Sequence, residues 1–541
     1  MIGAGSAGAV VAARLSEDPG RRVLLVEAGG TDRRLAVTAP LLFRTLFGGP
    51  ADWDLRTEPE PGCADRRLTQ PRGRILGGTS CLNAMVWVRG SAADYDGWGP
   101  AGRGLPGWSW REVEPVFHRI EDHFLAREHA ARADPGARRH GTGGPITVTH
   151  AVPHPHARAF ADAAGTIAAR LGIGPTRDIG GPDLAGVAPT PVSVRDGRRR
   201  HTAHAYLRPA RRRPNLTVLT GTLAHRVLVE DGRARAVLLE GPRSGGRPER
   251  VEARRGVILA AGAFHTPYLL QLSGIGPREV LDAAGIPTLL DSPHVGAHLV
   301  DHPLAVVNWE LAEGLTGLET LGRADVLRWL LRHDGPVAST GFDVMGHLPS
   351  APDRPAGAAP DLQLGFAPAY FADEGRGTHP RPAATVVASH WEPRSEGHVR
   401  VAGADARRSP VITLNLLTDP EGADLRALTR ALALVREIAG TEPLAGILGR
   451  ELNPGPEVRT PAQVGEWLRR TAQTTYHPAC SARMGRPGEG VLDERLRVCG
   501  VDGLRVADAS AFPVIPHANT NAAAIMLGER CAEFLREEDP V

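Results

Sequence analysis

The 541-residue chain contains no lysine, so all 63 of its basic side chains are arginines. Without a lysine amine, Schiff-base catalysis by lysine is excluded, including pyridoxal-phosphate chemistry. Cysteine is also scarce: five residues are scattered over positions 63, 81, 480, 499 and 531, with no C-x-x-C pair. A disulfide framework or structural zinc site is therefore not expected, and a reducing cytoplasm is the predicted location.

The chain also lacks an excess of charge of either sign and any long hydrophobic run. Its 63 basic residues face 61 acidic ones, so the net charge of +2 gives no electrostatic reason to expect a nucleic acid partner. No run approaches the roughly 18 apolar residues of a membrane helix, and no leader pattern is present, so a soluble protein is predicted. The histidines show no tight ligand spacing with a carboxylate, so no metal site is predicted.

The first feature that is present is a glycine turn. Gly3, Gly5 and Gly8 form G-x-G-x-x-G, the pattern that brings backbone close to a dinucleotide pyrophosphate. After it, AVVAARLSEDPG predicts a short helix, and RRVLLVEAGG predicts a strand buried on both faces because its apolar residues are consecutive. Glu27 ends that strand 19 residues after Gly8, near the offset at which an acidic side chain meets a ribose. Dinucleotide binding is therefore predicted.

The strand that should precede these glycines is almost missing. Only Met1 and Ile2 come before Gly3, whereas five or six strand residues are typical. Unpaired backbone groups on the neighbouring strands would cost about 1–3 kcal/mol for each buried group. The expectation is that the true start lies upstream and that Met1 stands at a strand position.

Two later stretches, VILAAGAF (257–264) and GLRVADASAFP (503–513), predict further buried strands that run into small-residue loops. Between them, short β-like runs such as ATVVASHW and PVITLNLL mix with helical patterns such as DLRALTRALALVREIAG. This mixture predicts an α/β dinucleotide domain with a second, α+β domain interleaved. The predicted bounds are 1–150, 205–300 and 475–541 for the first domain, and 151–204 and 301–474 for the second.

Five stretches resemble, in order, the motifs of the glucose–methanol–choline (GMC) oxidoreductases. They are GRILGGTSCLNAMVWVRGSAADYDGW (73–98), GAFHTPYLLQLSGIGP (262–277), GAHLVDHP (296–303), YHPACSARMG (476–485) and NTNAAAIMLGERCAEFL (519–535). One departure is His298, which replaces the family's usual asparagine. The matches extend from Gly3 to Leu535, and the chain is identified as a choline dehydrogenase-like member of that family.

The resemblance implies an FAD-binding Rossmann-like domain with an interleaved antiparallel-sheet substrate domain. The implied reaction oxidises the CH–OH group of a small-molecule alcohol to a carbonyl, by hydride transfer to flavin N5. The electrons would then pass to oxygen, a quinone or another carrier. The oligomeric state is left open.

The same resemblance implies the catalytic residues. The family's catalytic histidine falls on His477, the predicted general base, since neutral imidazole accepts a hydroxyl proton near pH 7. Its partner, a histidine or asparagine in the family, is assigned to Asn521, 44 residues later. Asn521 also begins a predicted helix whose N-terminus would stabilise negative charge on reduced flavin. Cys480, within the histidine motif, is expected to be a packing residue.

The implied FAD contacts are spread over the whole chain. They are Gly3, Gly5, Ser6, Ala7, Gly8, Glu27, Ala28, Gly77, Gly78, Thr79, Asn83, Ala84, Val227, Ala261, Gly262, Asp508, Ala509, Asn519 and Thr520. Some relatives tether FAD through a histidine just before the asparagine of this motif, where this chain has Leu82. Leucine cannot form that bond, so non-covalent FAD is predicted.

Two alternatives remain. The fold also includes hydroxynitrile lyases, which keep FAD without using it for redox chemistry. A non-catalytic flavoprotein is disfavoured because both His477 and Asn521 are present. An aromatic content of 5% shows no clear ring cage for a quaternary ammonium, so choline is one candidate among many primary alcohols.

Overall fold

A computed structural model describes residues 1–131, 139–352, 354–355 and 357–538. Parts of the two terminal segments assigned to the dinucleotide domain (132–138 and 539–541) therefore lie outside the described residues. The α-helices of the described chain are Ser6–Leu15, Leu35–Thr38, Ala92–Trp98, Trp110–Ile120, Phe124–Ala131, Pro155–Arg170, Arg208–Ala210, Gly262–Leu272, Arg278–Ala283, Arg323–Arg332, Ala423–Ala439, Pro461–Thr471 and Asn521–Glu538.

A parallel sheet carries the N-terminal glycine turn. Val23–Val26, the predicted buried strand, pairs in parallel with Leu216–Leu219. Val257–Leu259 pairs in parallel with Leu504–Val506, at the two later strands predicted from the sequence. Each strand ends at the same edge, so the residues that follow the strands gather around one space.

Residues 1–3 join the two strand pairs. Ile2 forms parallel bridges with Val26 and Leu259, and its N–H donates to the carbonyl of Ile258 at 2.9 Å. The N–H of Gly3 donates to the carbonyl of Val26 at 2.8 Å. These bonds pair backbone groups of both neighbouring strands at the edge where the glycine turn begins.

Two helices from opposite ends of the chain cover this sheet edge. Ser6–Leu15 packs against Asn521–Glu538, and Gly528 permits the contact because a Cβ there would lie 2.8 Å from the carbonyl oxygen of Ala7. An ion pair between Arg14 and Glu529 at 2.9 Å adds to this contact. The C-terminal helix is therefore packed against the helix that follows the glycine turn.

The second large element is a seven-stranded antiparallel sheet. Its strands, in spatial order, are Leu448–Asn453, Pro303–Leu311, Ala383–His390, Leu362–Ala367, Val344–Leu348 and Gly186–Pro189, with Gln473–Thr474 pairing beside Pro303–Leu311. All of them lie within the segments assigned to the second domain, and the bounds of that domain stay a prediction.

Alternate residues of this sheet serve different purposes. Phe366 is buried and stacks on Phe160 of helix Pro155–Arg170, with ring centroids 5.5 Å apart. Its neighbour Gly365 lies on the other face of the sheet. Gly365 and Gln363 both line a cavity on that face. Because successive strand residues point to opposite faces, one side of the sheet forms core and the other forms a binding surface.

Smaller sheets complete the described chain. The remaining strands are Leu55–Arg56 with Thr69–Gln70, Glu121–His123 with Ile146–His150 and Pro191–Val192, Val194–Arg195 with Arg198–Arg199, Leu223–Glu230 with Arg233–Glu240 and Glu249–Glu252, Ile275–Gly276 with Leu290–Asp291, and His398–Arg400 with Val411–Thr413. Among the described residues, none of the helices has the length and apolar character needed to cross a bilayer.

Candidate active site

One cavity lies between the glycine turns of the parallel sheet and the antiparallel sheet. The sheet-side wall is formed by residues of four adjacent strands and is mainly apolar. Those residues are Leu304, Met345, Gln363, Gly365, Val387 and Ser389. Segments that are far apart in the sequence thus face each other across a single space, as expected for a cofactor next to its substrate.

The first glycine turn is tightly packed against the sheet. Gly3 has φ +97°, and a Cβ there would lie 2.3 Å from the carbonyl oxygen of Ala260. A Cβ on Gly8 would lie 2.1 Å from the carbonyl oxygen of Gly3. Gly5 caps helix Ser6–Leu15, whose first N–H groups therefore point toward the cavity as an anion site.

A second glycine turn meets the first. Gly78 has φ +53°, and a Cβ there would lie 2.7 Å from the Cα of Gly5. Gly77 has φ +95° and packs against the sulfur of Cys81. The two turns, more than seventy residues apart in the sequence, therefore form one backbone surface with no side chains between them.

Glu27 lies at the end of its strand, in the predicted position. Its carboxylate accepts hydrogen bonds from the N–H groups of Ala4 at 3.0 Å and Gly29 at 2.9 Å. Burial raises the pKa of Glu27 to about 7, and these two bonds act in the opposite direction. The carboxylate is thus fixed at the cavity wall, where it can accept hydroxyl groups from a ligand.

Asp508 is fixed in the same way at the end of its own strand. It accepts hydrogen bonds from the N–H of Gly262 at 3.0 Å, the hydroxyl of Thr266 at 2.6 Å and the N–H of Ser510 at 2.8 Å. Burial raises its pKa. The carboxylate ties together the two loops that follow the later parallel strands.

Asn83 has one end of its amide engaged. Its side-chain oxygen accepts from the N–H of Met85 at 3.1 Å and from Arg199 at 2.7 Å. The described contacts of the side chain involve only this oxygen, and Asn83 lines the cavity. Leu82, just before it, is buried against the same cavity.

Most of the residues predicted from the sequence line this cavity. They are Gly3, Gly5, Ser6, Ala7, Glu27, Ala28, Gly78, Thr79, Asn83, Ala84, Ala261, Gly262, His477, Asp508, Ala509, Asn519, Thr520 and Asn521. Gly8 and Gly77 stand behind the two turns, and Val227 lies farther along a strand that begins at the cavity with Leu223. The structure therefore does not place these three on the wall.

His477 is held by its neighbours on the segment 301–302. Its backbone N–H donates to the carboxylate of Asp301 at 2.9 Å. Its ring Nδ1 lies 3.0 Å from Nδ1 of His302. Burial lowers the pKa of His477 to about 3, and the charge of Arg72 acts in the same direction. The ring is therefore neutral at ordinary pH, which is the form that can accept a proton.

Asn519, and not Asn521, is the asparagine beside this ring. The side-chain Nδ2 of Asn519 lies 3.3 Å from Nε2 of His477. The assignment of Asn521 as the partner does not match this geometry, because its side-chain oxygen accepts from the hydroxyl of Ser6 at 2.7 Å. Asn521 instead begins helix Asn521–Glu538, as expected, and fastens that helix to the glycine turn.

Gln363 orients the amide of Asn519. Its Nε2 donates to Oδ1 of Asn519 at 3.1 Å, and Nδ2 of Asn519 donates back to Oε1 of Gln363 at 3.3 Å. Nε2 of Gln363 also lies 3.1 Å from Nε2 of His347, whose Nδ1 lies 3.2 Å from the carbonyl oxygen of Leu184. This series of bonds lies deep in the protein, since both Gln363 and His347 are buried.

The series fixes which atoms carry hydrogen. A carbonyl oxygen only accepts, so Nδ1 of His347 donates to Leu184 and its Nε2 accepts from Gln363. That orientation leaves the oxygen of Gln363 to accept from Asn519, whose NH₂ group then donates to Nε2 of His477. The electron pair of His477 is therefore on Nε2, directed into the cavity, and its proton is on Nδ1, toward His302.

Sequence reasoning missed several members of this arrangement. Asp301 and His302 lie in the recognised DHP motif but carried no assigned role. Gln363 and His347 occur in ordinary strand patterns without a local motif. The one signal in the sequence that could have drawn attention to these two polar residues was their position among apolar residues in the strands. No cluster of the described histidines, cysteines and carboxylates has metal-binding geometry.

Comparison with known proteins gives one consistent picture. The models of the GMC oxidoreductase family match residues 1–304 and 393–528. A GMC-type oxidoreductase of Mycobacterium tuberculosis without an assigned activity is 39% identical, over 99% of this chain and 98% of that protein. Oxygen-dependent choline dehydrogenase of Rhizobium etli is 35% identical, over 100% and 96%.

Solved structures agree with this. The crystal structure of pyridoxine 4-oxidase from Mesorbium loti matches with a TM-score of 0.88 and 32% identity, covering 100% of this chain and 99% of that one. The predicted fold class, of an FAD-binding domain with a sheet-rich substrate domain, is confirmed, and so is the dependence on FAD. The chain therefore belongs to the GMC oxidoreductase family and is an FAD-dependent alcohol dehydrogenase or oxidase.

Proposed function

We propose that this protein oxidises an alcohol to a carbonyl with His477 as the general base and Asn519 as the group that binds the substrate oxygen. The observation that carries the proposal is Nε2 of His477 lying 3.3 Å from the amide nitrogen of Asn519, in the wall of the cavity that holds the glycine turns. When bound, FAD supplies the acceptor for the two electrons and the hydrogen of the alcohol carbon.

The residues on the cavity wall fit FAD. The paired glycine turns leave a backbone surface that any Cβ would fill, and the N-terminus of Ser6–Leu15 opens onto it. We assign the pyrophosphate to this surface and the ribose to Glu27. Asp508 and the N-terminus of helix Asn521–Glu538 are assigned to the remainder of the cofactor, with Asn83 and Ala84 on the facing turn. Val227 does not line the cavity and is not part of this assignment.

The substrate hydroxyl would replace the contact between His477 and Asn519. Their separation of 3.3 Å is long for a hydrogen bond, so little is lost when an oxygen enters. The hydroxyl then donates to Nε2 of His477 and accepts from Nδ2 of Asn519. As the carbon gives up its hydrogen, the hydroxyl proton passes to His477, and Asn519 stabilises the oxygen without competing for that proton.

The proposal is tested by mixing the purified protein with a panel of primary alcohols in the absence of oxygen. At least one alcohol should abolish the visible absorbance of oxidised flavin, and His477→Ala should slow this bleaching strongly. A hydroxynitrile lyase would leave that absorbance unchanged while cleaving a cyanohydrin, which would overturn the redox assignment.

The same panel in air, with and without an artificial electron acceptor, identifies the oxidant. Turnover in air alone indicates an oxidase, and turnover only with the acceptor indicates a dehydrogenase. We place the protein in the cytoplasm because its cysteines are unpaired, with Cys499 exposed and the other four buried. Fractionation of the producing cells tests that location.

A further inference from the structure

The outer part of the cavity has a charged residue that the proposed reaction does not use. The 3₁₀ helix Pro40–Leu46 and the residue after it contribute Phe43, Arg44 and Phe47 to the wall. This segment is near the reacting groups, because the ring of Phe47 packs edge-on against Tyr476, 6.1 Å away, and Tyr476 directly precedes His477. Arg44 lies one helical turn before Phe47.

The guanidinium of Arg44 is placed by an aromatic ring and a carbonyl, not by an acid. It stacks over the ring of Phe371 at 4.3 Å, and its Nη2 donates to the carbonyl oxygen of Glu374 at 3.1 Å. The carboxylate of Glu374 is turned away, to Thr69 and Arg376. No carboxylate among the described residues forms an ion pair with Arg44. Burial lowers the pKa of Arg44, and no carboxylate opposes that shift.

The rest of the cavity wall does not compensate this charge. Its only carboxylates among the described residues are Glu27 and Asp508, and backbone N–H groups hold both in the region assigned to the cofactor. Arg72 adds a second guanidinium to the wall, donating to the carbonyl oxygen of Tyr476 at 2.7 Å, but the charges of Asp301 and Asp52 act on it, whereas no carboxylate pairs with Arg44. Arg44 is half-buried, so its guanidinium is partly removed from water without a carboxylate partner, and a ligand that supplies an anion gains affinity.

From these contacts we infer that Arg44 is a substrate-binding residue, and that the substrate is an alcohol with a carboxylate at its far end. This inference rests on the proposed function for the alcohol and adds the anionic group. The wall between Arg44 and His477 is apolar and aromatic, with Phe43, Phe47 and Phe371, so a ring-sized body joins the two ends. A quaternary ammonium is disfavoured, since its charge would lie beside the guanidinium.

The first test measures binding without turnover. p-Toluate, which has the carboxylate and ring but no hydroxyl, is titrated into the FAD-loaded protein by calorimetry, in parallel with 4-methyl-N,N,N-trimethylanilinium. We expect p-toluate to bind and the cation not to compete with it. Arg44→Gln should weaken p-toluate about tenfold or more, since it removes a charge-assisted bond, while Arg44→Lys keeps most of the affinity.

Arg332→Gln is the matched control, because Arg332 is an exposed arginine on helix Arg323–Arg332, outside the cavity wall. Its p-toluate affinity should equal that of the unchanged protein. Melting temperature and FAD content are measured for each variant. If Arg44→Gln does not fold, the comparison of Arg44→Lys with the unchanged protein in rising salt replaces it, since an ion pair at the cavity mouth weakens with salt.

The second test measures turnover with 4-(hydroxymethyl)benzoate, benzyl alcohol and 4-(hydroxymethyl)-N,N,N-trimethylanilinium. 4-(Hydroxymethyl)benzoate should have the lowest KM of the three. Arg44→Gln should raise the KM for 4-(hydroxymethyl)benzoate about tenfold or more and leave the KM for benzyl alcohol unchanged. Equal KM values for 4-(hydroxymethyl)benzoate and benzyl alcohol would overturn the inference. A p-toluate affinity that is the same in Arg44→Gln as in the unchanged protein would also overturn it. Arg44-dependent binding of p-toluate with no flavin reduction by any alcohol would support it and overturn the proposed reaction instead.

Discussion

Nδ2 of Asn519 lies 3.3 Å from Nε2 of His477, with the oxygen of Gln363 at the same distance on its other side. The amide of Asn519 is therefore committed to one orientation before any substrate arrives. Because one of its hydrogens points at the imidazole ring, a hydroxyl that enters beside the pair can donate to Nε2 of His477 and accept from Nδ2 of Asn519. This relationship distinguishes the two asparagines of the NTN sequence.

Replacing Asn519 with alanine should lower kcat/KM by about 10²–10³, the cost of losing one donor to a charged oxygen in other enzymes. FAD content should stay near that of the unchanged protein. Steady-state kinetics with a saturating electron acceptor, together with the visible flavin spectrum, checks both expectations.

Asn521→Ala is the natural comparison, since its side chain contacts Ser6 and not His477. It should weaken FAD retention on dilution and change kcat/KM less than Asn519→Ala does. A larger kinetic loss from Asn521→Ala, with full FAD, would restore the assignment first made from the sequence.

His477→Ala should reduce flavin reduction by alcohol about 10²–10⁴-fold, the usual contribution of a general base. Rapid mixing without oxygen measures this step directly. The buried ring of the unchanged protein has its pKa lowered to about 3, so protonation should not limit the unchanged protein between pH 5 and 8. An acid limb near the ordinary histidine pKa of about 6.5 would contradict that environment.

Gln363→Leu should lower kcat/KM about tenfold, because the amide of Asn519 loses the partner that orients it. The double variant Gln363→Leu with Asn519→Ala should be no slower than Asn519→Ala alone. The tenfold coupling corresponds to about 1.4 kcal/mol, within the range for residues in direct contact. Fully additive losses would show that Gln363 acts independently of Asn519.

His517, two residues before Asn519, should make stability depend on pH. Its ring lies 2.5 Å from Asp94 and 2.9 Å from Glu392, which also pairs with Arg354, and these contacts raise its pKa to about 10 against the cost of burial. The protonated form is the stabilising one, so the contribution is full below about pH 6.5 and is lost as pH rises through about 10.

The melting temperature of the unchanged protein should therefore exceed that of His517→Asn most clearly at pH 6, with the gap closing toward pH 10.5. The absence of lysine simplifies this measurement, because few other side chains titrate in the upper half of that window. A gap that stays constant over the whole range would show that the ring acts by packing alone.

Acid precipitation of the holoenzyme should leave the yellow colour in the supernatant. The position used for a covalent bond in some relatives is Leu82, a buried hydrocarbon side chain on the cavity wall. Colour in the washed pellet would contradict this. The substitution Leu82→His would show whether the geometry alone permits a bond, because the same precipitation then reports attachment.

Much of the cofactor region could be predicted from the sequence because it depends on local backbone geometry. Gly3 and Gly78 adopt positive φ values and approach other backbone closely, so no other residue type serves there, and the requirement is visible in the letters themselves. Glu27 and Asp508 follow short apolar strands and are therefore placed by the strands that precede them. The shortness of the first strand was visible too, and residues 1–3 provide its bonds at the edge next to the turn.

The pairing of His477 with Asn519, which we propose as catalytic, could not be predicted in the same way. Asn519 and Asn521 are two residues apart in NTN, and the spacing of 44 residues from His477 selected Asn521, although Asn519 is the one that lies beside the ring. Their side chains diverge because helix Asn521–Glu538 begins between them: Asn521 turns to Ser6, and Asn519 stays in the loop facing the sheet.

The sequence by itself determined the cofactor class and the family, and it supplied the histidine that we propose as the general base, because each depends on short motifs with their own backbone demands. Tertiary structure alone decided which asparagine meets that histidine, which nitrogen carries its proton and where Arg44 is directed. Those properties depend on contacts between segments far apart in the sequence. One example is the series of hydrogen bonds that runs from Leu184 to His347 and on to the loop that contains Asn519. Only the packing of the sheet against the glycine turns brings them together.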